Sequence, residues 1–147
     1  MQSLRCLDKA IFRSRDNIGN LLRSYVGNDW RDHIQVPDKG KYHLSKYDTD
    51  TGNNIQIITW QPNIRSNVYM KYPYHMKILY GSLIEFQYDK IGVYKTRSLL
   101  KPMDISFCEN YSYIRNHTTD ICVSLHVYDT THTNEINTTG FTFLVPP

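Results

Sequence analysis

The 147-residue chain predicts a mostly β protein, an antiparallel sandwich or barrel with short N-terminal helices. Three observations carry this reading. From about Lys41 onward, short segments rich in Ile, Val, Tyr, Thr and Phe recur at near-regular spacing. Turn-forming runs separate them, among them Thr51-Gly-Asn-Asn54, Gln61-Pro-Asn63 and Tyr88-Asp-Lys90. No helical period follows, so the crossover helices of a parallel sheet are missing. A chain of this length fits one domain, residues 1–147, with a helical lead-in over 1–30 and the β region over 41–145.

Leu4, Leu7 and Ile11, then Ile18, Leu21, Leu22 and Tyr25, recur at helical spacing, which predicts two amphipathic helices. Asp16 is placed to cap the second and Gly27 to stop it. The clearest strands are Asn54 to Trp60, Met76 to Tyr88, Gly92 to Thr96, Met103 to Phe107, Ile121 to Tyr128 and Phe141 to Val145. Gly81 marks a bend or the start of a hairpin inside the second of these. Beyond it Ile84, Phe86 and Tyr88 alternate with Glu85 and Gln87, the pattern of a sheet whose polar side is solvated.

A formal charge of +3 is scattered among acids, which offers no electrostatic reason to expect nucleic acid. No apolar run is long enough to span a bilayer, and Met1-Gln-Ser-Leu-Arg lacks a signal-peptide pattern, so a soluble intracellular protein is expected. Cys6, Cys108 and Cys122 form no CxxC pair and read as small buried hydrophobes. Asn110-Tyr-Ser, Asn116-His-Thr and Asn137-Thr-Thr match the glycosylation sequon, but an intracellular chain never meets the modifying enzymes. There is no phosphate loop, nucleophile elbow or His-Glu-x-x-His.

The most informative stretch is Val123-Ser-Leu-His-Val-Tyr-Asp129. Strand alternation puts Val123, Leu125 and Val127 on one face and Ser124, His126 and Tyr128 on the other. Three hydrogen-bonding groups then share a face that is a wet exterior, a satisfied network or a pocket wall. For His126 the ordinary reading is a buried imidazole held by Ser124 and Tyr128. His33 and His132 fall in loops, and His75 and His117 read as surface or turn residues.

In order along the chain, Ser24-Tyr25, Trp30, Asn54-Ile-Gln-Ile-Ile-Thr-Trp60, Met76-Lys-Ile-Leu-Tyr-Gly-Ser-Leu83 and Ser124-Leu-His-Val-Tyr128 resemble the cysteine dioxygenase family of cupins. The resemblance spans roughly Ser24 to Phe143 and implies a cupin-type jelly-roll β-barrel. It also implies a family chemistry, in which three histidines hold ferrous iron and both atoms of O2 are added to the thiol of cysteine. The family's His-x-His pair falls here on Asn67 and Tyr69. Its third ligand falls on Tyr111, Ser112 or Tyr113, and its carboxylate-gripping arginine on His43. The cross-linking cysteine of the animal enzymes falls on Tyr74. Ser124, His126 and Tyr128 match the family's Ser-His-Tyr relay beside the iron.

The resemblance therefore implies a degenerate site with no retained iron and no other cofactor. The leading expectation is a pseudoenzyme that binds a small polar ligand or a protein partner. Its pocket would be lined by Asn67, Tyr69, Tyr113, Ser124, His126 and Tyr128, with His43 as an anchor. One alternative is a structural or interaction protein whose barrel is filled by Tyr69, Tyr74 and Tyr113. The other is an active thiol dioxygenase, in which His43 and His126 with Tyr69 or Tyr113 hold a rearranged iron.

Overall fold

The computed structural model describes residues 1–38, 42–65, 73–128 and, for their backbone alone, 69–70 and 141–142. Two helices, α1 (Leu4–Arg13) and α2 (Ile18–Ser24), open the chain. Among the described residues ten strands follow: β1 (Tyr42–Lys46), β2 (Asn54–Trp60), β3 (Tyr69–Met70), β4 (Tyr74–Tyr80), β5 (Leu83–Tyr88), β6 (Tyr94–Leu100), β7 (Ile105–Cys108), β8 (Tyr111–Arg115), β9 (Cys122–Tyr128) and β10 (Phe141–Thr142). They form two five-stranded antiparallel sheets, β1-β2-β9-β4-β7 and β10-β3-β8-β5-β6. Among the described residues no ladder joins the sheets, so the expected barrel is not closed. Bulky inward side chains, Trp60, Tyr74 and Tyr128, hold the sheets a full side-chain layer apart.

Ser3 caps α1 by accepting from the Cys6 amide at 3.1 Å. Leu4, Leu7 and Ile11 then pack on the outer face of the first sheet, against Ile55, Ile57, Val123, Leu125 and Val127. Asp16 does not cap α2. It sits in a 3₁₀ turn over Arg15–Asn17, and Asn17 takes the cap position. Gly27 lies past the helix end for another reason: a Cβ there would sit 2.0 Å from the Gln2 carbonyl oxygen, where the N-terminal segment crosses. Lys77, on the outer face of β4, ends α2 instead. Its fully buried Nζ donates to the Leu22 and Tyr25 carbonyls at 2.6 and 2.5 Å, satisfying groups the helix leaves open.

The predicted Met76–Tyr88 strand is two strands in different sheets. Gly81, at φ +78°, turns the chain from β4 across to β5, and a Cβ on it would lie 2.7 Å from the Ile121 carbonyl oxygen. The bend is thus a crossing between sheets and not a hairpin. β6 starts later than expected, at Tyr94, because the Asp89 carboxylate accepts from the Ile91 and Val93 amides and holds the turn closed. β7 likewise waits until Ile105, beyond the left-handed Met103 at φ 75°. β8 occupies a stretch that the resemblance made a ligand loop. The predicted strand near the C-terminus is seen at Phe141–Thr142, and its remainder lies outside the described residues.

Candidate functional site

All seven residues of β9 are buried, because α1 and α2 cover one face of its sheet and the second sheet covers the other. The Ser124, His126 and Tyr128 face is the inner one. Trp60, from the neighbouring β2, donates Nε1–H to Ser124 Oγ at 2.9 Å, and Ser124 Oγ lies 2.8 Å from His126 Nε2. Indole nitrogen is only a donor, so Ser124 Oγ accepts from Trp60, and the tautomer of His126 sets which of Ser124 and His126 donates in the second link. Burial pushes the imidazole down to about 3, so the ring is neutral at physiological pH.

Tyr128 does not hold His126 as expected. The two rings stack at 5.9 Å and 14°, and among the described residues neither the Tyr128 hydroxyl nor His126 Nδ1 has a hydrogen-bond partner. Tyr74 closes the space beside them, its ring 5.3 Å from that of His126 and 5.8 Å from that of Tyr128. Trp60, Tyr74, His126 and Tyr128 are each no more than 1 % exposed.

A second network was not anticipated from the sequence. Glu85, expected on the solvated side of β5, is fully buried between the sheets. Tyr74 donates to Glu85 Oε2 at 2.5 Å, Ser106 donates to Oε1, and the Gln87 amide donates to Oε1 at 2.8 Å. The Tyr74 hydroxyl also meets Ser112 Oγ at 2.7 Å. The carboxylate therefore ties β5 of one sheet to β4 and β7 of the other, and the Tyr74 hydroxyl extends the link to β8 through Ser112. Burial, and next the Glu85 charge, raise the Tyr74 phenol well above its ordinary range. The same two causes push the neighbouring Cys108 thiol up to about 11, so it is no nucleophile at neutral pH.

The remaining predicted site residues do not converge. Tyr113 faces away from the interior, stacked on Phe86 at 4.5 Å and 9°, because its neighbours Ser112 and Ile114 point inward. Of the three candidates for the third ligand place, Ser112 is the interior one. His43 pairs in register with Thr59, on the face opposite Tyr42, whose ring packs 5.2 Å from that of Trp60. Asn67 lies outside the described residues, and Tyr69 is described only as backbone in β3.

His75 points away from Tyr74 and Met76, as parity requires, and stacks on Phe107 at 4.6 Å. His33 lies in a 3₁₀ turn edge-on to Tyr47, while His132 lies outside the described residues. His117 is partly buried, with Nδ1 unpartnered among the described residues. Cys108 and Cys122 are buried, but Cys6 is exposed because it falls on the outward side of α1. Asn116 is fully buried, and its amide donates to the Trp60, Gln61 and Asp120 carbonyls, which closes that sequon to modification.

Three imidazoles around an iron are not reproduced by these residues. Among the described residues no three of His, Cys, Asp and Glu are placed to hold a metal. The interior contributes His126 and Glu85, and Nε2 of the first and both oxygens of the second are engaged in the networks above. Among the described residues the interior donors do not match the three-histidine set that the resemblance implied.

No protein-family model and no curated protein matches the chain. Solved structures do. A Klebsiella pneumoniae protein with a double-stranded β-helix domain superposes with a TM-score of 0.56 at 12% identity, covering 68% of this chain and 85% of the other. Drosophila melanogaster CENP-C bound to CAL1 gives 0.56 at 15% identity, covering 80% of this chain and 97% of that one. A cupin superfamily protein from Desulfitobacterium hafniense gives 0.55 at 11% identity over 69% of this chain and 88% of its own length. Likeness at such low identity speaks to architecture alone, and the architecture is the cupin, or double-stranded β-helix, fold.

Proposed function

We propose that the chain is a catalytically inactive, cysteine-dioxygenase-like cupin that acts as a protein-interaction module with a filled interior. One observation carries the reading. Where a working cupin of that family would present metal ligands and open coordination positions, Tyr74 lies against His126 and Tyr128 and is tied to Glu85 across the gap. The likeness to CENP-C, crystallised with the partner CAL1, supports a binding role for this architecture. Free cysteines fit an intracellular setting, and among the described residues no helix is long and apolar enough to cross a membrane.

The test is metal content and oxygen uptake. Protein purified with ferrous iron present is expected to hold far less than one iron per chain and to show no O2 consumption with cysteine or other thiols. Stoichiometric iron with thiol-dependent uptake overturns the reading. A second reading, a small ligand held between the sheets, is favoured by His126 Nδ1 and the Tyr128 hydroxyl, two buried polar atoms without a hydrogen-bond partner among the described residues. Such a ligand would have to be polar and offer a hydrogen bond to each.

A further inference from the structure

Between β5 and β6 the chain turns through Asp89-Lys-Ile-Gly-Val93, and the tip of this turn is apolar. Ile91 is 77% exposed, more than any other large apolar side chain among the described residues, and Val93 and Tyr94 follow at 54% and 55%. Gly92, between the two aliphatic residues, stands at φ +88°, and a Cβ on it would meet nothing within 4 Å. The apex is therefore open. Its side chains add nothing to either core, and apolar groups clustered in water at one point mark a contact surface.

The backbone of the tip is already supplied with hydrogen bonds. The Asp89 carboxylate accepts from the Ile91 and Val93 amides, both at 2.9 Å, and the Asp89 carbonyl accepts from the Gly92 amide at 3.0 Å. Three consecutive amides at the apex thus need no water, which removes a large part of the cost of moving a loop into an apolar medium. Cations stand directly behind. Lys90, Lys95 and Arg97 are exposed, and none of them meets an acid among the described residues. Lys95 and Arg97 lie two and four residues past Val93, about 7 and 13 Å behind it at the rise of a strand. Of the exposed acids at this end of the molecule, Glu109 precedes β8, on the far side of β5 from β6. Asp48 and Asp50 lie in the β1–β2 connection, with β9, β4 and β7 between it and the hairpin, more than the Debye length of about 8 Å away.

From the apolar apex, its satisfied amides and the unpaired cations behind it, we infer that the β5–β6 tip is a reversible anchor for an anionic lipid surface. Ile91 and Val93 enter the acyl boundary, where interfacial apolar groups reach depths of about 5–10 Å. The Tyr94 ring sits at the headgroups, with its hydroxyl in water. Lys90, Lys95 and Arg97 then meet the negative charge of the lipids at the height the strand rise gives them. A protein surface suits the tip less well. Three apolar side chains at an apex fall far short of the roughly 20–30 residues a side of a stable protein interface, and here cations follow where such an interface would continue. The inference does not depend on the interaction-module reading.

The test is sedimentation of the full chain with vesicles of phosphatidylcholine alone and of seven parts phosphatidylcholine to three of phosphatidylserine. The chain is expected to bind the anionic vesicles, at least about 10-fold more tightly than the neutral ones. Ile91→Asp combined with Val93→Asp should weaken that binding by about 10-fold or more, and Lys95→Gln by about 5-fold. These positions are exposed, so the melting temperature should stay within a few degrees. Arg5→Gln with Lys9→Gln, on the outward side of α1, should leave binding within about 2-fold. Ile91→Trp reads depth: its fluorescence should shift to the blue on anionic vesicles and be quenched by brominated acyl chains. No binding to the anionic vesicles overturns the inference, as does binding that the Asp variant keeps or that the α1 variant loses. An indole at 91 that brominated chains do not quench, or a tip that holds two copies of the chain together and ignores vesicles, overturns it equally.

Discussion

The central strands of the first sheet, β2 and β9, are buried on both faces, and with opposite chemistry on each. Outward, Ile55, Ile57, Val123, Leu125 and Val127 meet the leucines of α1 and α2, and the two buried charges there are both engaged, Lys77 by helix carbonyls and Asp8 by Thr51 and Asn53. Inward, the same strands present Ser124, His126, Tyr128 and Tyr74 to a second sheet carrying Glu85 and Ser112. The outer face draws its stability from area removed from water and tolerates any close-packed arrangement. The inner face depends on each donor finding its acceptor, which is how a polar layer fixes the pairing of two sheets.

Four substitutions or conditions sharpen this contrast. The largest effect is expected on the apolar side, where Leu125→Ala should cost about 2–5 kcal/mol in urea unfolding, with no change in the slope of the transition. On the polar side, Glu85→Gln keeps the shape but removes the charge that accepts from Tyr74 and Ser106. A loss of about 1.5–3 kcal/mol is expected. A double-mutant cycle with Tyr74→Phe should then show the two changes to be strongly non-additive, and strict additivity would mean that the bond across the sheets carries nothing.

Acid should act through His126. Its ring stays neutral in the folded chain down to about 3, whereas in the unfolded chain it takes up a proton below 6.5, so the unfolded state binds more protons in that window. Stability is therefore full above 6.5 and falls on acidification, by about 2 kcal/mol between pH 7 and 5. The His126→Leu variant should show a shallower slope over the same range. A wild-type slope as shallow as the variant's would place the imidazole in water. The smallest effect is Tyr128→Phe. Because the hydroxyl is buried without a partner among the described residues, its removal should be neutral or stabilising by up to about 1 kcal/mol. A clear destabilisation would instead reveal a bound acceptor beside it.

How far each side was legible in the sequence follows from the range of the interactions. The helices and β2 could be read because period and β-branched content are local properties, and β2 runs over the expected Asn54 to Trp60. The alternation in β9 correctly separated Ser124, His126 and Tyr128 from the valines. The same logic misplaced Glu85, since parity divides a strand into two faces without saying which one is inside. What draws Glu85 inward is Tyr74 and Ser106, 11 and 21 residues away, on strands whose pairing no local pattern reveals. Tyr113 and His43 failed for a related reason. Their expected positions came from a resemblance counted along the chain, and a shift of one residue exchanges the faces of a strand.

The crossing at Gly81 fixes one end of the interior. β4 and β5 are joined by Gly81 and Ser82 alone, and a Cβ on Gly81 would meet the backbone at the start of β9. Beside this joint Cys122 pairs in register with Trp60, and both face the interior, while Tyr74 and Tyr128 lie at the far end of β4 and β9. A small residue is thus set beside the largest ring at the glycine end, and a bulkier side chain at 122 would compete with the indole for one volume.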